Sequence, residues 1–249
     1  MSEQKYYKLT IAYEGTNYCG WQLQKNSVSI HEVLMKAGRA FLPDDFSITG
    51  GSRTDSGVHA LGYVALLKTT YDKQAYRICR AFNAYLPKDV VVYESQEVAK
   101  DFHPRYSAKG KHYRYTIYND EYALPQYMHY AYYYHARELD AQKMQEAAQW
   151  LVGRHDFMAY SSKKTSVEDT VRTLYECCVT REHKYIHIDV KGDGFLYNMV
   201  RIIAGMLIEV GRGKIEPRAI KKILEEKDRM KATKTAPANG LTLMEIYYS

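Results

Sequence analysis

The sequence predicts a fold that mixes strands and helices in two halves of similar make-up. Three observations carry this expectation. The chain has 249 residues, and at roughly 100–200 residues per domain that makes two modest domains or one large one. Segments of period-two alternation and segments of helical spacing succeed one another along its length. Hydrophobic residues make up 46% and charged residues 26%, the proportions of a globular protein with a real core. Spacing alone leaves open whether the sheets are parallel or mixed.

In the first half, Tyr7, Leu9, Ile11 and Tyr13 alternate with Lys8, Thr10 and Ala12, which predicts a strand. Gly15 to Gln24 is rich in glycine and polar groups and reads as a loop. Ser29-Ile30-His31-Glu32 is a capping box. Ile30, Val33, Leu34, Ala37, Phe41 and Leu42 then keep helical spacing until Pro43 stops the helix. A Gly/Ser/Thr-rich loop spans Gly50 to Gly57 and runs into Val58–Leu67, apolar on both faces and so a central strand. Asp72 is a candidate cap for a second helix carrying Ala75, Ile78, Cys79, Phe82 and Leu86, with Pro87 at its end. Val90–Val98 reads as a further strand.

The second half begins near Ser107. Lys111–Tyr118 and Ala131–His135 read as strands. Asp140 is placed to cap a helix with Ala141, Met144, Ala147, Ala148 and Leu151 on one face. Val171–Thr180 and Tyr185–Lys191 look like paired strands. Phe195–Val210 is the most apolar helix, closed by Gly211 at its C-terminal cap. Glu216-Pro217 opens a shorter helix, with proline in the first turn, and Leu241–Tyr248 is a last strand. Lys231–Asn239, charged and poor in apolar residues, is expected to be the most mobile stretch.

The formal net charge of +6 suits a polyanionic partner without proving one. The chain has 25 Tyr against 6 Phe; tyrosine suits partly wet surfaces and base stacking as well as cores. Its four cysteines, Cys19, Cys79, Cys177 and Cys178, have no C-x-x-C spacing and read as reduced thiols. No apolar run reaches membrane length, roughly 18 residues, and the first residues lack a signal-peptide pattern. The expectation is a cytoplasmic protein. His183 and His187, read as four apart on one strand, share a face without a third ligand, so no metal is expected.

Gly50-Gly51-Ser52-Arg53-Thr54-Asp55-Ser56-Gly57-Val58-His59-Ala60 is the most informative stretch. Glycines let a backbone take positive φ and approach a ligand closely. A carboxylate there is ionised at neutral pH, since an ordinary aspartate titrates near ~3.9, and suits nucleophilic or charge-stabilising work. A bare R-T-D triplet would read as an Asx-type turn with Arg53 paired to Asp55.

The eleven-residue context resembles the A-G-R-T-D-x-G-V-H-A signature of the TruA-type tRNA pseudouridine synthases. Tyr13-Glu14-Gly15 with Gly20-Trp21-Gln22 is similar to the family's N-terminal element, and Asn83-Ala84-Tyr85-Leu86-Pro87 to its N-A-x-L-P. Phe102-His103-Pro104-Arg105-Tyr106-Ser107-Ala108 resembles F-H-A-R-x-S-A. Tyr113-Arg114-Tyr115, Asp156-Phe157, Met199-Val200-Arg201 with Gly205, and Ala236-Pro237-Ala238-Asn239-Gly240-Leu241 follow in the family's order.

The resemblance implies an α+β fold of two similar domains whose antiparallel sheets join around a central cleft. Residues 1–107 would carry the aspartate loop, and 108–249 would complete the RNA-binding cleft. It implies a homodimeric, cofactor-free isomerase that turns uridine into pseudouridine in the anticodon stem-loop of tRNA, at uridines 38, 39 and 40. The absence of Rossmann, Walker and zinc spacings agrees with a reaction without net redox change.

By the same resemblance Asp55 is the nucleophile. Attack at C1′, attack at C6 and a glycal route all stay open. Arg53 is the base-flipping arginine, Tyr113 stacks beside the base and helps a proton leave C5, and Leu241 lines the uracil pocket. Arg201, a charge on an apolar helix that needs a partner, pairs with Asp55 and keeps it ionised. Arg105, Lys109, Lys111, Arg114, Lys163 and Lys164 are candidates for phosphate contacts, with Arg105 and Arg114 foremost. Ser52, Cys19, His31 and Pro104 depart from the family pattern. Two rivals therefore remain: a tRNA-binding paralogue without chemistry, and a synthase with a shifted RNA target.

Overall fold

Strands and helices form where the two periodicities place them. The structure is a computed structural model that describes residues 3–162 and 169–249. Its elements are mostly antiparallel strands with five α-helices, an α+β fold. Contacts divide the chain into two units, Met1–Lys109 with Leu243–Ser249, and Gly110–Thr242.

In the first unit, β1 (Lys5–Tyr13) lies between β3 (His59–Thr69) and β4 (Val90–Glu97), antiparallel to both. The other edge of β3 carries β2 (Ser47–Gly50), which the sequence had not announced, and β10 (Leu241–Tyr247). Four residues are too short a stretch to show alternation; β2 exists because β3 offers it an open edge. Gly62 on β3 is required there, since a Cβ would collide with the Met244 carbonyl.

Two helices cover this sheet. Helix α1 (Ile30–Arg39) is capped as expected, with Glu32 N donating to Ser29 Oγ at 3.1 Å. Helix α2 (Ala75–Asn83) follows Gln74, which makes no side-chain capping bond, so Asp72 is not its cap. Asn83 ends it by bonding the backbone of Val92 both ways, Nδ2 to the carbonyl at 2.7 Å and the Val92 N–H to Oδ1 at 2.9 Å. Tyr7, Leu9 and Ile11 of β1, Ile30 and Leu34 of α1, and Ile78 and Phe82 of α2 are fully buried. Each stabilises the unit by about 1.5–3 kcal/mol.

In the second unit, β5 (Gly110–Asn119), β9 (Tyr185–Gly192), β8 (Val171–Glu182) and β7 (Gly153–Asp156) run antiparallel in that order. Short β6 (Tyr132–Tyr134) joins β5 in parallel. His183 sits at φ 54° in the β8–β9 turn, so it does not share a strand face with His187. Helix α3 (Ala141–Gln149) is capped by Asp140, as expected.

Helix α4 (Met199–Gly211) starts four residues later than its apolar run, because Asn198 takes the left-handed region at φ 61°. Every residue of α4 except Arg201 and Glu209 is buried. Its left-handed terminator is Gly213, at φ 71°, rather than Gly211; Gly211 is small because Met144 lies against it. Helix α5 (Ala219–Glu226) begins just after the Glu216-Pro217 pair. The Lys231–Asn239 stretch is tied to α4 by Ala236 N donating to the Arg201 carbonyl at 3.1 Å, and a Cβ on Gly205 would collide with the Lys234 carbonyl.

Asn119, at the end of β5, fills its hydrogen-bonding capacity in a buried position. Nδ2 donates to the carbonyls of Tyr134 (3.1 Å) and Arg137 (2.9 Å), and Oδ1 accepts from Leu139 N (2.9 Å) and Arg181 Nη2 (3.1 Å). Asn119→Ala strands several of these groups, and urea unfolding should show a loss of roughly 2–4 kcal/mol; a loss below about 1 kcal/mol would show that Asn119 does not hold this corner.

Candidate active site

The loop from Gly51 to Val58 connects β2 to β3, and aromatic side chains beneath it set its path. Trp21 stacks on Tyr63 with ring centroids 4.3 Å apart and planes 21° apart, and Tyr13 lies 5.8 Å from Tyr63. Gly50 lies so close to this block that a Cβ would collide with the Tyr63 hydroxyl and the Trp21 ring. At Gly51 a Cβ would sit 2.8 Å from the Pro104 carbonyl. These two glycines serve close approach, while Gly57 alone within the loop takes a positive φ, 78°.

Tyrosine hydroxyls hold the loop on either side of Arg53, one at the Ser52 backbone and one at the Thr54 side chain. Tyr63 Oη donates to the Ser52 carbonyl at 2.6 Å and accepts from Ser52 N at 3.4 Å. Tyr13 Oη and Thr54 Oγ1 share a buried hydrogen bond of 2.9 Å. Trp21 N donates to the Thr54 carbonyl at 3.4 Å. Gly20, at φ 92°, packs against that carbonyl too closely for any side chain. The turn then closes with Val58 N to the Asp55 carbonyl at 3.2 Å and Gly57 N to the Tyr18 carbonyl at 3.2 Å. Arg53 is left exposed and Asp55 partly exposed.

His59, next in the motif, is buried. Its Nδ1 accepts from Gly15 N at 3.0 Å, so the bonding assigns its proton to Nε2. The Glu14 carboxylate lies 3.5 Å from the same Nδ1. His59 holds the Gly15 loop against the aspartate loop.

In the second unit, Tyr113 on β5 is buried and meets Phe195 edge-on at 5.1 Å. Arg201 projects from the first turn of α4. Its Nε donates to the Ala236 carbonyl at 2.8 Å and its Nη1 to Asn198 Oδ1 at 3.0 Å, so two bonds orient the guanidinium. Asn198 is itself held by Nδ2 donating to Ser162 Oγ at 2.8 Å. Leu241 is buried. It follows Gly240, where a Cβ would collide with the Tyr115 ring; Tyr115 donates its hydroxyl to the Pro237 carbonyl at 2.9 Å.

The basic candidates separate. Arg105 is exposed. Arg114 makes a bidentate bond to Asp189, at 2.9 and 3.1 Å, and His112 Nε2 lies 2.6 Å from the same carboxylate. Burial would raise the Asp189 carboxyl, but His112 and Arg114 outweigh it and hold it below the usual carboxylate range. The charge of Arg114 is thereby compensated within the protein. Lys109 is exposed and Lys111 half-buried; Lys163 and Lys164 lie outside the described residues.

Sequence reasoning missed Tyr63, Tyr115 and Asn198 as organisers of these loops. Tyrosine is so abundant here that neither ring stood out. Asn198, just before the helix and able to take positive φ, was the one readable signal. Asp156, from the D-F pair, is occupied structurally by Thr170 Oγ1 (2.5 Å), Met158 N (3.1 Å) and Lys227 Nζ (2.9 Å). All four cysteines are free thiols, and burial pushes Cys177 up to about 12. Among the described residues no group of three or more His, Cys, Asp or Glu is arranged to hold a metal ion. No helix among them is long and apolar enough to cross a membrane.

A family profile described as tRNA pseudouridine synthase matches residues 9–107 and 147–249. A tRNA pseudouridine synthase A of Acetivibrio thermocellus is 46% identical over 241 residues, covering 97% of this chain and 98% of its own. One of Ruminiclostridium cellulolyticum is 49% identical over 243 residues, with the same coverage. A tRNA pseudouridine synthase A 2 of Clostridium perfringens is 43% identical over 242 residues, again covering 97% and 98%. A solved structure titled Crystal Structure of a Cbf5-Nop10-Gar1 Complex matches with a TM-score of 0.39 and 11% identity, over 95% of this chain and 48% of that one; so remote a likeness adds nothing to the assignment.

Tyr63→Phe keeps the stacked ring and removes only the hydroxyl that grips Ser52. Stability should fall by about 1–2 kcal/mol, from the lost bond and the carbonyl left behind. Denaturant titration would measure it, and an unchanged midpoint would mean that the hydroxyl does not anchor the loop.

Proposed function

This chain belongs to the tRNA pseudouridine synthase family, and we propose that it converts uridine to pseudouridine in the anticodon stem-loop of tRNA with Asp55 as the nucleophile. The observation that carries the reading is the Asp55 carboxylate, partly open to solvent on a loop held on both sides of Arg53, at the Ser52 backbone by the Tyr63 hydroxyl and at Thr54 by Trp21 N and the Tyr13 hydroxyl. A nucleophile held this way needs little reorganisation when its target arrives.

The reaction breaks the bond from uracil N1 to ribose C1′ and forms one from C5 to C1′. N1 gains a proton and C5 loses one, so the product is an isomer and no electrons are exchanged. The target must first leave its stack, at a cost of a few kcal/mol. Arg53, exposed beside the nucleophile, fills the vacated space and meets phosphate.

The second unit supplies most of the remaining roles, and Arg105 belongs to the first. Tyr113 stacks on the uracil and takes part in removing the C5 proton. Leu241 lines the pocket. Arg201, its guanidinium oriented by Ala236 and Asn198, is the partner that keeps Asp55 ionised. Arg105 and Arg114 contact RNA; of the two, Arg105 contributes more, because Asp189 already compensates Arg114. The target positions proposed are uridines 38, 39 and 40, and the resemblance extends the reading to a homodimer working in the cytoplasm.

Two substitutions test the reading by tritium release from tRNA transcripts carrying 5-labelled uridine. Asp55→Ala should lower the rate by roughly 10⁴-fold or more while tRNA binding persists; full activity in this variant would end the nucleophile assignment. Arg201→Leu, folded as judged by circular dichroism, should slow turnover roughly 10²-fold, the scale of losing one partner of a desolvated charge pair. Unchanged turnover would refute the pairing.

A further inference from the structure

The turn after β4 carries an aromatic surface that the mechanism does not use. Phe102–Ser107 is held by its own polar groups. His103 N donates to Ser107 Oγ at 3.0 Å, and Ser107 N donates to the His103 carbonyl at 2.9 Å. His103 Nδ1 accepts from Arg105 N at 3.1 Å and from Tyr106 N at 3.2 Å, which makes the imidazole the hub of the turn. The turn is also anchored from outside. The Pro104 carbonyl accepts from Tyr248 Oη at 2.7 Å, and Phe102 packs on Tyr248 with centroids 5.1 Å apart.

On this rigid turn Tyr106 is 77% exposed, more open than any other large apolar side chain among the described residues. A ring so open contributes little to the core. It is nevertheless supported: the His103 ring lies 4.3 Å from it, and the Arg105 guanidinium 5.8 Å from its centroid. A supported, solvent-facing ring with a cation beside it is the combination that stacks an unpaired base and meets its phosphate. The local charge has the right sign, with Lys100, Arg105 and Lys109 against Asp101 alone between residues 100 and 109.

The turn also lies beside the aspartate loop. The Pro104 carbonyl is so close to Gly51 that a Cβ there would sit 2.8 Å from it, and Gly51 is two residues from Arg53. We propose that Tyr106, backed by His103 and flanked by Arg105, is a stacking platform for an unpaired nucleobase of the tRNA beside the one presented to Asp55. This inference rests on the reading that the chain binds tRNA. It goes beyond that reading by assigning a base contact to a residue outside the reacting group.

Filter binding of an unmodified tRNA transcript at several salt concentrations tests it. Tyr106→Ala and Tyr106→Leu should each weaken binding about 5- to 100-fold, the range supplied by one base–aromatic stack. Tyr106→Phe and Tyr106→Trp should restore affinity, because any π-face serves. The slope of log affinity against log salt should stay unchanged in all four, whereas Arg105→Gln should make it shallower by about 0.7–0.9, the value of one phosphate contact. Wild-type affinity in Tyr106→Ala, or Leu binding as well as Phe, would overturn the platform and mark Tyr106 as an ordinary exposed tyrosine. Tritium release from the same wild-type preparation separates the two failures: activity with unaltered Tyr106→Ala binding sinks only the platform, and a wild type without tRNA binding sinks both.

Discussion

The aspartate loop depends on the hydroxyl of Tyr63. It meets both backbone groups of Ser52, at 2.6 and 3.4 Å, in a position where an unmatched carbonyl would cost about 1–3 kcal/mol. The ring beneath is fixed by the stacked Trp21, and Trp21 in turn donates its N–H to Thr54. Loop and aromatic block therefore hold each other in place. The tight glycines follow from this: at 50 a side chain would strike the rings, and at 20 it would strike Thr54. On this held backbone the Arg53 side chain is exposed and that of Asp55 partly exposed.

A different constraint organises the second unit. Helix α4 is buried on almost every side, yet it carries Arg201. A guanidinium in such surroundings must have its donors met. The Ala236 carbonyl and Asn198 meet two of them, which draws the chain after α5 back onto the helix. Gly205 and Gly240 permit the close passage, and Tyr115 secures Pro237. A stretch that composition marks as mobile is thus held by hydrogen bonds to α4 and β5.

Membership of the family accounts for the order of the motifs, but the motif residues divide in role. Asn83 spends its side chain on the backbone of β4, Asp156 on a turn and Lys227, and His59 on the Gly15 loop. Arg114 sits in a carboxylate fork. Polar motif residues of this kind hold elements together. Arg53 is exposed and Asp55 partly exposed on the loop that these contacts hold.

The sequence by itself determined the long elements, the caps at Ser29 and Asp140, the β8–β9 pairing and the aspartate loop. These rest on local spacing and on hydrogen bonds between near neighbours, which a linear pattern records. It determined the family too, because ordered motifs survive as strings. Only the tertiary structure decided that β2 and β7 are strands, that Gln74 and not Asp72 precedes α2, and that Gly213 and not Gly211 ends α4. It alone decided which tyrosines grip backbone and which stand open. Those outcomes turn on partners well outside one turn or one strand repeat: Val64 for Gly51, Tyr63 for Ser52, Met144 for Gly211. No periodicity along the chain encodes which distant group will arrive within 3 Å.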